Sequence, residues 1–351
     1  MPLFVDTGRS AEGAALNSAN CITIGLVNNM PDAALEATER QFTDLIRAAT
    51  PNAVVLLKLF AIAQVPRGEN ARRELAERYR DIAELGDTPL DGLIVTGTEP
   101  RATALTEEPY WRSLSQLVDW ARDHTASTIW SCLAAHAAVL HRDGVERRAL
   151  KRKLFGVFDC RLAADHPLTQ HFPEPLLVPH SRYNDLPERA LVSCGYKILT
   201  RSKSAGVDIF ARQDGSFFLF FQGHPEYGAD TLLREYRRDV ARYLVGERDA
   251  YPAAPLGYFD DPARACAQAF RARALANRQA VTAADFPTAA LTRGLATPWR
   301  AAALGIYEKW CAYLSARKAE RRPPTLPGVR LRRTWRDWPL GHRSAADRAA
   351  G

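Results

Sequence analysis

Apolar and polar positions fall into alternating blocks along the chain. Cys21 to Val27 is a short apolar run with β-branched residues, which predicts a buried strand. Asn28-Asn29-Met30-Pro31 ends it as a loop, and Leu35 to Thr50 then carries apolar residues at helical spacing. Ala53 to Phe60 predicts a second buried strand, and Glu69 to Leu85 a highly charged helix. Leu93 to Thr96 is a short strand leading into Gly97, followed by a loop and a helix from Glu108 to His124. Thr128 to Ser131 predicts another strand, with a helix from Leu133 to His141 directly after it. Phe217 to Gln222 is a further apolar run; it ends in Gly223-His224-Pro225-Glu226, and a helix over Asp230 to Leu244 follows. Strands that alternate with helices predict an α/β fold, a mainly parallel central sheet flanked by helices. Functional loops then belong at the carboxyl ends of the strands.

The character changes after Tyr258. Residues 261–296 are rich in Ala and Arg with weak helical patterning and read as a helical insertion, and Trp299 to Lys318 has a clear helical pattern. The division expected is a flexible leader over 1–19, one α/β domain with a helical C-terminal region over 20–318, and a basic, Pro-rich tail over 319–351, surface-bound or disordered. No apolar run reaches the roughly 18 residues that span a bilayer, and the first twenty residues lack the basic start and apolar core of a signal peptide. A cytoplasmic protein with no membrane partner is expected. The net charge of +7 concentrates in Arg142 to Lys153 and Arg317 to Arg336, which read as a solvated basic face and a basic tail. Arg330 to Trp338 interleaves Arg with Trp, but an ordinary tail is the simpler reading than a nucleic-acid contact. None of the six cysteines forms a C-x-x-C pair, so neither a metal site nor dithiol chemistry is expected. Phosphate-binding glycine motifs are absent as well.

Two segments suit chemistry. Cys132 stands where an apolar strand turns sharply into a helix, the placement of a nucleophile elbow. The side chain is held above the sheet edge, the helix N-terminus favours the thiolate, and the following backbone N–H points at a developing oxyanion. The flanking glycines of G-x-C-x-G are missing, so the same residue also reads as a buried structural cysteine. His224 ends another apolar strand with Glu226 two residues on. In an extended segment both side chains point the same way, so the carboxylate orients the imidazole that moves the proton; a loop His beside a solvated Glu is the bland reading. The order Cys132, His224, Glu226, each beyond an apolar strand, favours a triad. His136 and His141 read as surface or packing residues, and His180 as either a loop ligand or a hydrogen-bonded structural histidine.

At these residues the sequence resembles the homoserine O-acyltransferases (homoserine O-succinyltransferases) of the class I glutamine-amidotransferase-like fold. The likeness runs from Ile22 to Lys318. It is carried by Asn28-Asn29-Met30-Pro31, by Glu36-Ala-Thr-Glu39-Arg-Gln41-Phe42, by Asp91-Gly-Leu-Ile-Val-Thr-Gly97 and by Tyr110-Trp111. Further on it is carried by Lys153-Leu-Phe-Gly156-Val, Pro179-His-Ser-Arg-Tyr183, Gly223-His-Pro-Glu-Tyr227 and Glu235-Tyr-Arg-Arg-Asp239. The resemblance implies acyl transfer from an acyl-CoA to the hydroxyl of L-homoserine through an acyl-Cys132 intermediate, on the route to methionine. His224 is then the base and Glu226 its partner. Lys153, Ser181 and Arg238 match positions that hold the amino acid, with Arg238 on its carboxylate. Gly97 and Thr98 fall in the oxyanion-hole loop with the Leu133 amide, and Arg101 falls where relatives select the acyl group. No cofactor is implied beyond the acyl-CoA co-substrate, whose negative charge accounts for part of the basic excess; the partners are small molecules, no nucleic acid, and a second copy in a homodimer. The sequence departs from the family at Thr98-Glu99-Pro100-Arg101, where Gly-Ala-Pro is usual, and at Leu133, where Trp is frequent. Charge favours succinyl-CoA, through Arg101. Alternatives are the same chemistry on L-serine, a glutamine-amidotransferase-like hydrolase, and a silent binding protein on this fold.

Overall fold

The structure, a computed structural model, describes residues 3–7, 21–170, 172 and 174–321. Its strands are β1 (Leu3–Asp6), β2 (Cys21–Val27), β3 (Val54–Ala61), β4 (Arg80–Asp81), β5 (Gly92–Val95), β6 (Ser127–Ser131) and β7 (Arg148–Leu162). They continue with β8 (Leu176–Asp185), β9 (Lys197–Ile198), β10 (Thr200–Ser202), β11 (Gly206–Val207), β12 (Ile209–Asp214) and β13 (Ser216–Phe221). The central sheet runs β1-β3-β2-β5-β6-β13-β12-β9, with β4 also on β3. Every pairing from β1 to β13 is parallel, whereas β12 is antiparallel to both of its neighbours, β13 and β9, and is the one strand that runs against the rest.

The strands are buried on both faces, as an apolar run without alternation requires. One face packs α1 (Leu35–Ala49) and α9 (Arg300–Glu320) through Phe42, Leu45, Tyr307 and Trp310 against Ile24, Leu57 and Leu219. The other packs α3 (Trp111–His124) and α4 (Leu133–Asp143) through Leu114, Leu117 and Ala138 against Val95, Trp130 and Phe220. Helix α4 stops at Gly144, whose left-handed φ of 67° lets its amide reach the Leu140 carbonyl at 2.9 Å and the next amide, of Val145, the Val139 carbonyl at 3.4 Å.

Several expectations shift. The loose leader is interrupted, because Leu3–Asp6 forms an edge strand paired with β3; four residues are too short to show a pattern alone. The charged helix expected to Leu85 is α2 (Glu69–Arg78) only, and the chain then turns into β4 and a 3-10 segment capped by Asp81. A second sheet, β11-β10-β7-β8, has no counterpart in the apolar pattern. Its long strand β7 opens with Arg and Lys and carries a register irregularity between Ala149 and Leu154, which hides the period of two. Helix α5 (Glu188–Ser193) follows β8, and α6 (Thr231–Leu244) follows β13. Residues 261–296 are helical, as α7 (Asp261–Ala276), two 3-10 turns and α8 (Thr288–Thr292), and they bury Phe270, Phe286 and Leu291 against Tyr236 and Val240 of α6. The tail lies outside the described residues from 322 on. Among the described residues no helix is long and apolar enough to cross a membrane.

Candidate active site

The site is set by adjacency in the sheet. β13 lies parallel to β6 with Phe221 opposite Ser131, so the residues that follow each strand emerge side by side. Cys132 follows β6, and its amide donates to the Phe221 carbonyl at 2.7 Å. Its φ of 53° and ψ of −116° make it the one non-glycine residue with positive φ among those described. Such a backbone costs on the order of 1–3 kcal/mol and persists only where the surroundings hold it. The Cys132 carbonyl accepts the Ala135 and His136 amides, so α4 starts at once and the thiol sits at its N-terminus, partly exposed. Leu133 opens α4, where an amide has no intrahelical partner. Gly97 packs onto that point: a Cβ on it would stand 2.9 Å from the Leu133 nitrogen.

His224 and Glu226 follow β13. The His224 amide donates to the Pro179 carbonyl at 2.8 Å, and its ring Nδ1 lies 2.8 Å from Glu226 Oε1. The segment is not extended as expected; the Tyr227 amide returns to the His224 carbonyl at 3.2 Å, closing a turn that brings the two side chains together by curvature instead of by strand alternation. Both residues are buried. Burial pulls the imidazole down, but Glu226 and then Cys132 outweigh it and hold His224 well above the ordinary histidine range. Tyr227 stacks on the ring, with centroids 4.2 Å apart. Burial and Glu235 push its phenol far up, so it stays protonated and donates a hydrogen bond to Glu235 at 2.6 Å.

The loop after β5 forms a third wall. Thr96 is locked to the first loop, since Asn29 donates its amide to Thr96 Oγ1 at 2.8 Å and its side chain to the Thr96 carbonyl at 3.1 Å. Glu108 accepts from the amides of Arg101 and Ala102 at 2.5 and 2.7 Å, which shapes the segment after Gly97 and Thr98. Arg101 is exposed, and its side chain has no partner among the described residues. Glu99 pairs with Arg242 of α6 at 3.1 Å and ties the loop to that helix.

The three residues matched to the amino acid meet around two carboxylates on α6. Lys153 Nζ lies 3.0 Å from Asp239 and 3.4 Å from Glu235. Ser181 donates to Glu235, and Arg238 donates through Nε and Nη2 to Asp239 at 3.1 and 3.0 Å. Burial raises the Asp239 carboxyl, but Lys153 and Arg238 outweigh it, so it stays ionised below the ordinary range. Glu235 and Asp239 bound one of the matching segments, yet nothing in the sequence marks them as site residues. Their spacing of four places them on one face of α6, a signal that also fits an exposed charged helix.

The other sequence candidates stand outside the Cys132–His224–Glu226 group. His136 is buried and bonds Gln222 at 2.9 Å; burial pushes it down to about 3. His141 pairs with Asp119 at 3.0 Å. His180 is not in a loop but on β8, fully buried. Cys21, Cys160 and Cys311 are buried, and burial raises each thiol.

A thiol at a helix N-terminus, an imidazole fixed by a carboxylate and a cluster of charged side chains tied to the ring-stacked Tyr227 suit transfer of an acyl group. The fold is similar to that of a solved glutamine amido transferase from Methylobacillus flagellatus, which superposes with a TM-score of 0.50 over 89% of this chain and 100% of its own, at 17% identity. The sequence model of the homoserine O-succinyltransferase family matches residues 7–321, and the chain belongs to that family. A homoserine O-succinyltransferase of Rhodopseudomonas palustris is 51% identical over 316 residues, covering 90% of this chain and 94% of the relative. One of Methylorubrum extorquens is 49% identical, covering 85% and 88%.

Proposed function

We propose that the chain transfers a succinyl group from succinyl-CoA to the hydroxyl of L-homoserine, on the route to methionine, through a succinyl-Cys132 intermediate. The observation that carries the mechanism is the His224–Glu226 contact of 2.8 Å beside the Cys132 elbow. In the resting pair the imidazolium is held by Glu226 and the thiolate. Cys132 Sγ attacks the thioester carbonyl, and the oxyanion gathers at the backbone amides near Leu133 and Thr98. Collapse breaks the bond to the CoA sulfur, which leaves with the proton of His224. Acylation removes the thiolate charge, one of the two supports of the imidazolium, so neutral His224 is ready to act as base. It takes the homoserine hydroxyl proton as the oxygen attacks the Cys132 thioester; the thiolate departs, the O-succinyl ester is released and the imidazolium is restored.

Arg238 binds the amino-acid carboxylate, while Lys153 and Ser181 build the pocket with Glu235. Arg101 reaches the free carboxylate of the succinyl group. The co-substrate is CoA-borne and no other cofactor takes part; the enzyme acts in the cytoplasm as a homodimer, independent of nucleic acid. CoA release should be followed with succinyl-CoA and acetyl-CoA against homoserine and serine, with ammonia release from glutamine as a control. Succinyl-CoA with homoserine should be the fastest pair. Ammonia release without CoA release would replace this reading with that of a hydrolase.

A further inference from the structure

A second cysteine, histidine and carboxylate converge beneath the site: Cys160 on β7, His180 on β8 and Asp208 just before β12, all fully buried, with ligand atoms within 4.8 Å of one another. The donor set suggests a metal, but the proton arrangement points elsewhere. Arg182 Nε donates to His180 Nδ1 at 3.4 Å, so Nε2 carries the ring proton. That nitrogen faces Asp208 Oδ1 at 3.5 Å. Both Asp208 oxygens are engaged: Oδ2 accepts from Thr200 Oγ1 at 2.9 Å and Oδ1 from the Gly223 amide at 3.2 Å. The Asp208 carbonyl also accepts the Gln222 amide at 2.9 Å. Asp208 therefore grips two consecutive residues directly before His224. A Cβ on Gly223 would fall 2.6 Å from Asp208 Oδ1 and 2.4 Å from Val178, so the peptide lies flat against this floor.

We propose that Asp208 is a positioning residue for His224: its carboxylate fixes the peptide between Gln222 and Gly223 through the Gly223 amide, and with it the reach of the imidazole to Cys132. The groups that face Asp208 are Cys160 from β7, His180 and Arg182 from β8, Thr200 from β10, and His224 itself. Burial disfavours the ionised carboxylate, while the Thr200 and Gly223 donors partly restore it. A buried group kept against its desolvation, with every acceptor oxygen used, has a task that an apolar residue of similar size does not perform. The inference rests on the triad reading above.

The test pairs Asp208→Ala, which removes the acceptor, with Asp208→Asn, which keeps an oxygen for the Gly223 amide. A displaced catalytic group costs up to about 10²-fold, so Asp208→Ala should lower kcat by about 10- to 100-fold and leave both KM values within about twofold. Reaction of Cys132 with iodoacetamide at pH 6, followed on its peptide by mass spectrometry, should slow in the alanine variant by about tenfold, because the thiolate–imidazolium pair forms less often. Asp208→Asn should recover most of both. If the alanine variant does not fold, Thr200→Val, which frees one carboxylate oxygen, should slow both readouts by a few-fold, and unchanged rates there overturn the proposal. It is also overturned by a folded Asp208→Ala with wild-type kcat and alkylation, or by an Asp208→Asn as impaired as the alanine variant. Failure of wild type to form succinyl-Cys132 from succinyl-CoA would instead sink the triad reading.

Discussion

Two groups of the same composition lie next to each other in this molecule and behave in opposite ways. In the first, Glu226 touches the His224 ring at 2.8 Å and Cys132 stands partly exposed at the start of α4. In the second, Asp208 stays 3.5 Å from the His180 ring, Arg182 faces the other ring nitrogen, and Cys160 is wholly enclosed in a strand. Both imidazoles are buried. Burial is outweighed at His224 by Glu226 and Cys132, which hold it well above the ordinary range. At His180 burial prevails and Arg182 adds to it, so the ring is held well below. Composition therefore does not make a catalytic triad. A dedicated carboxylate, a helix N-terminus and access to solvent separate the group proposed to move protons from the group proposed to hold the backbone.

The sharpest way to break the comparison is to exchange the cysteines' fates. Cys132→Ala should reduce transferase kcat on the order of 10⁵-fold, as loss of a nucleophile does, whereas Cys160→Ala should keep kcat within about twofold and cost about 1 kcal/mol of stability, an ordinary core loss. Urea unfolding alongside steady-state assays separates the two. Next, Glu226→Gln should lower kcat about 10²-fold, on the scale of general acid–base assistance, with the fold intact by circular dichroism; a wild-type kcat would remove Glu226 from the relay. Arg238→Ala should raise KM for homoserine about tenfold or more, the worth of one charge-assisted contact, and leave acylation of Cys132 by succinyl-CoA unchanged. Collapse of the acylation half-reaction would assign Arg238 to the donor or to the fold. Arg101→Glu should cut kcat/KM for succinyl-CoA by about tenfold and spare acetyl-CoA. The smallest effect is on pH-dependent stability. A histidine raised in the folded state contributes stability that is complete below its unfolded value of about 6.5 and is lost as pH rises through the folded value. The unfolding free energy should therefore fall above about pH 6.5, by up to about 1.4 kcal/mol per pH unit, and His224→Asn should flatten that decline.

The proposed triad could be read from the sequence because Cys132 directly follows one apolar run and His224 and Glu226 lie just beyond another, and both runs are strands of the central sheet. The strand–Cys132–helix junction and the Gly223-His224-Pro225-Glu226 end needed no long-range information. What escaped notice needed it. β7 and β8 carry Lys153 and Ser181, yet their charged residues and the irregular register between Ala149 and Leu154 mask the strand pattern. Glu235 and Asp239 look like solvated helix charges until Lys153 and Ser181 arrive from the second sheet. Cys160, His180 and Asp208 come from three separate stretches and share no spacing a motif could reveal. The turn that joins His224 to Glu226 reads as extended in the sequence because a proline between them fits both backbones.

The central claim is an acyl-cysteine intermediate. It is tested most directly by mixing the enzyme with succinyl-CoA alone, quenching in acid and measuring the mass of the peptide that holds Cys132. The account predicts one succinyl group on Cys132 and one equivalent of CoA released before any homoserine is added, with neither in Cys132→Ala. CoA that appears only after homoserine is added, with Cys132 unmodified, would contradict it.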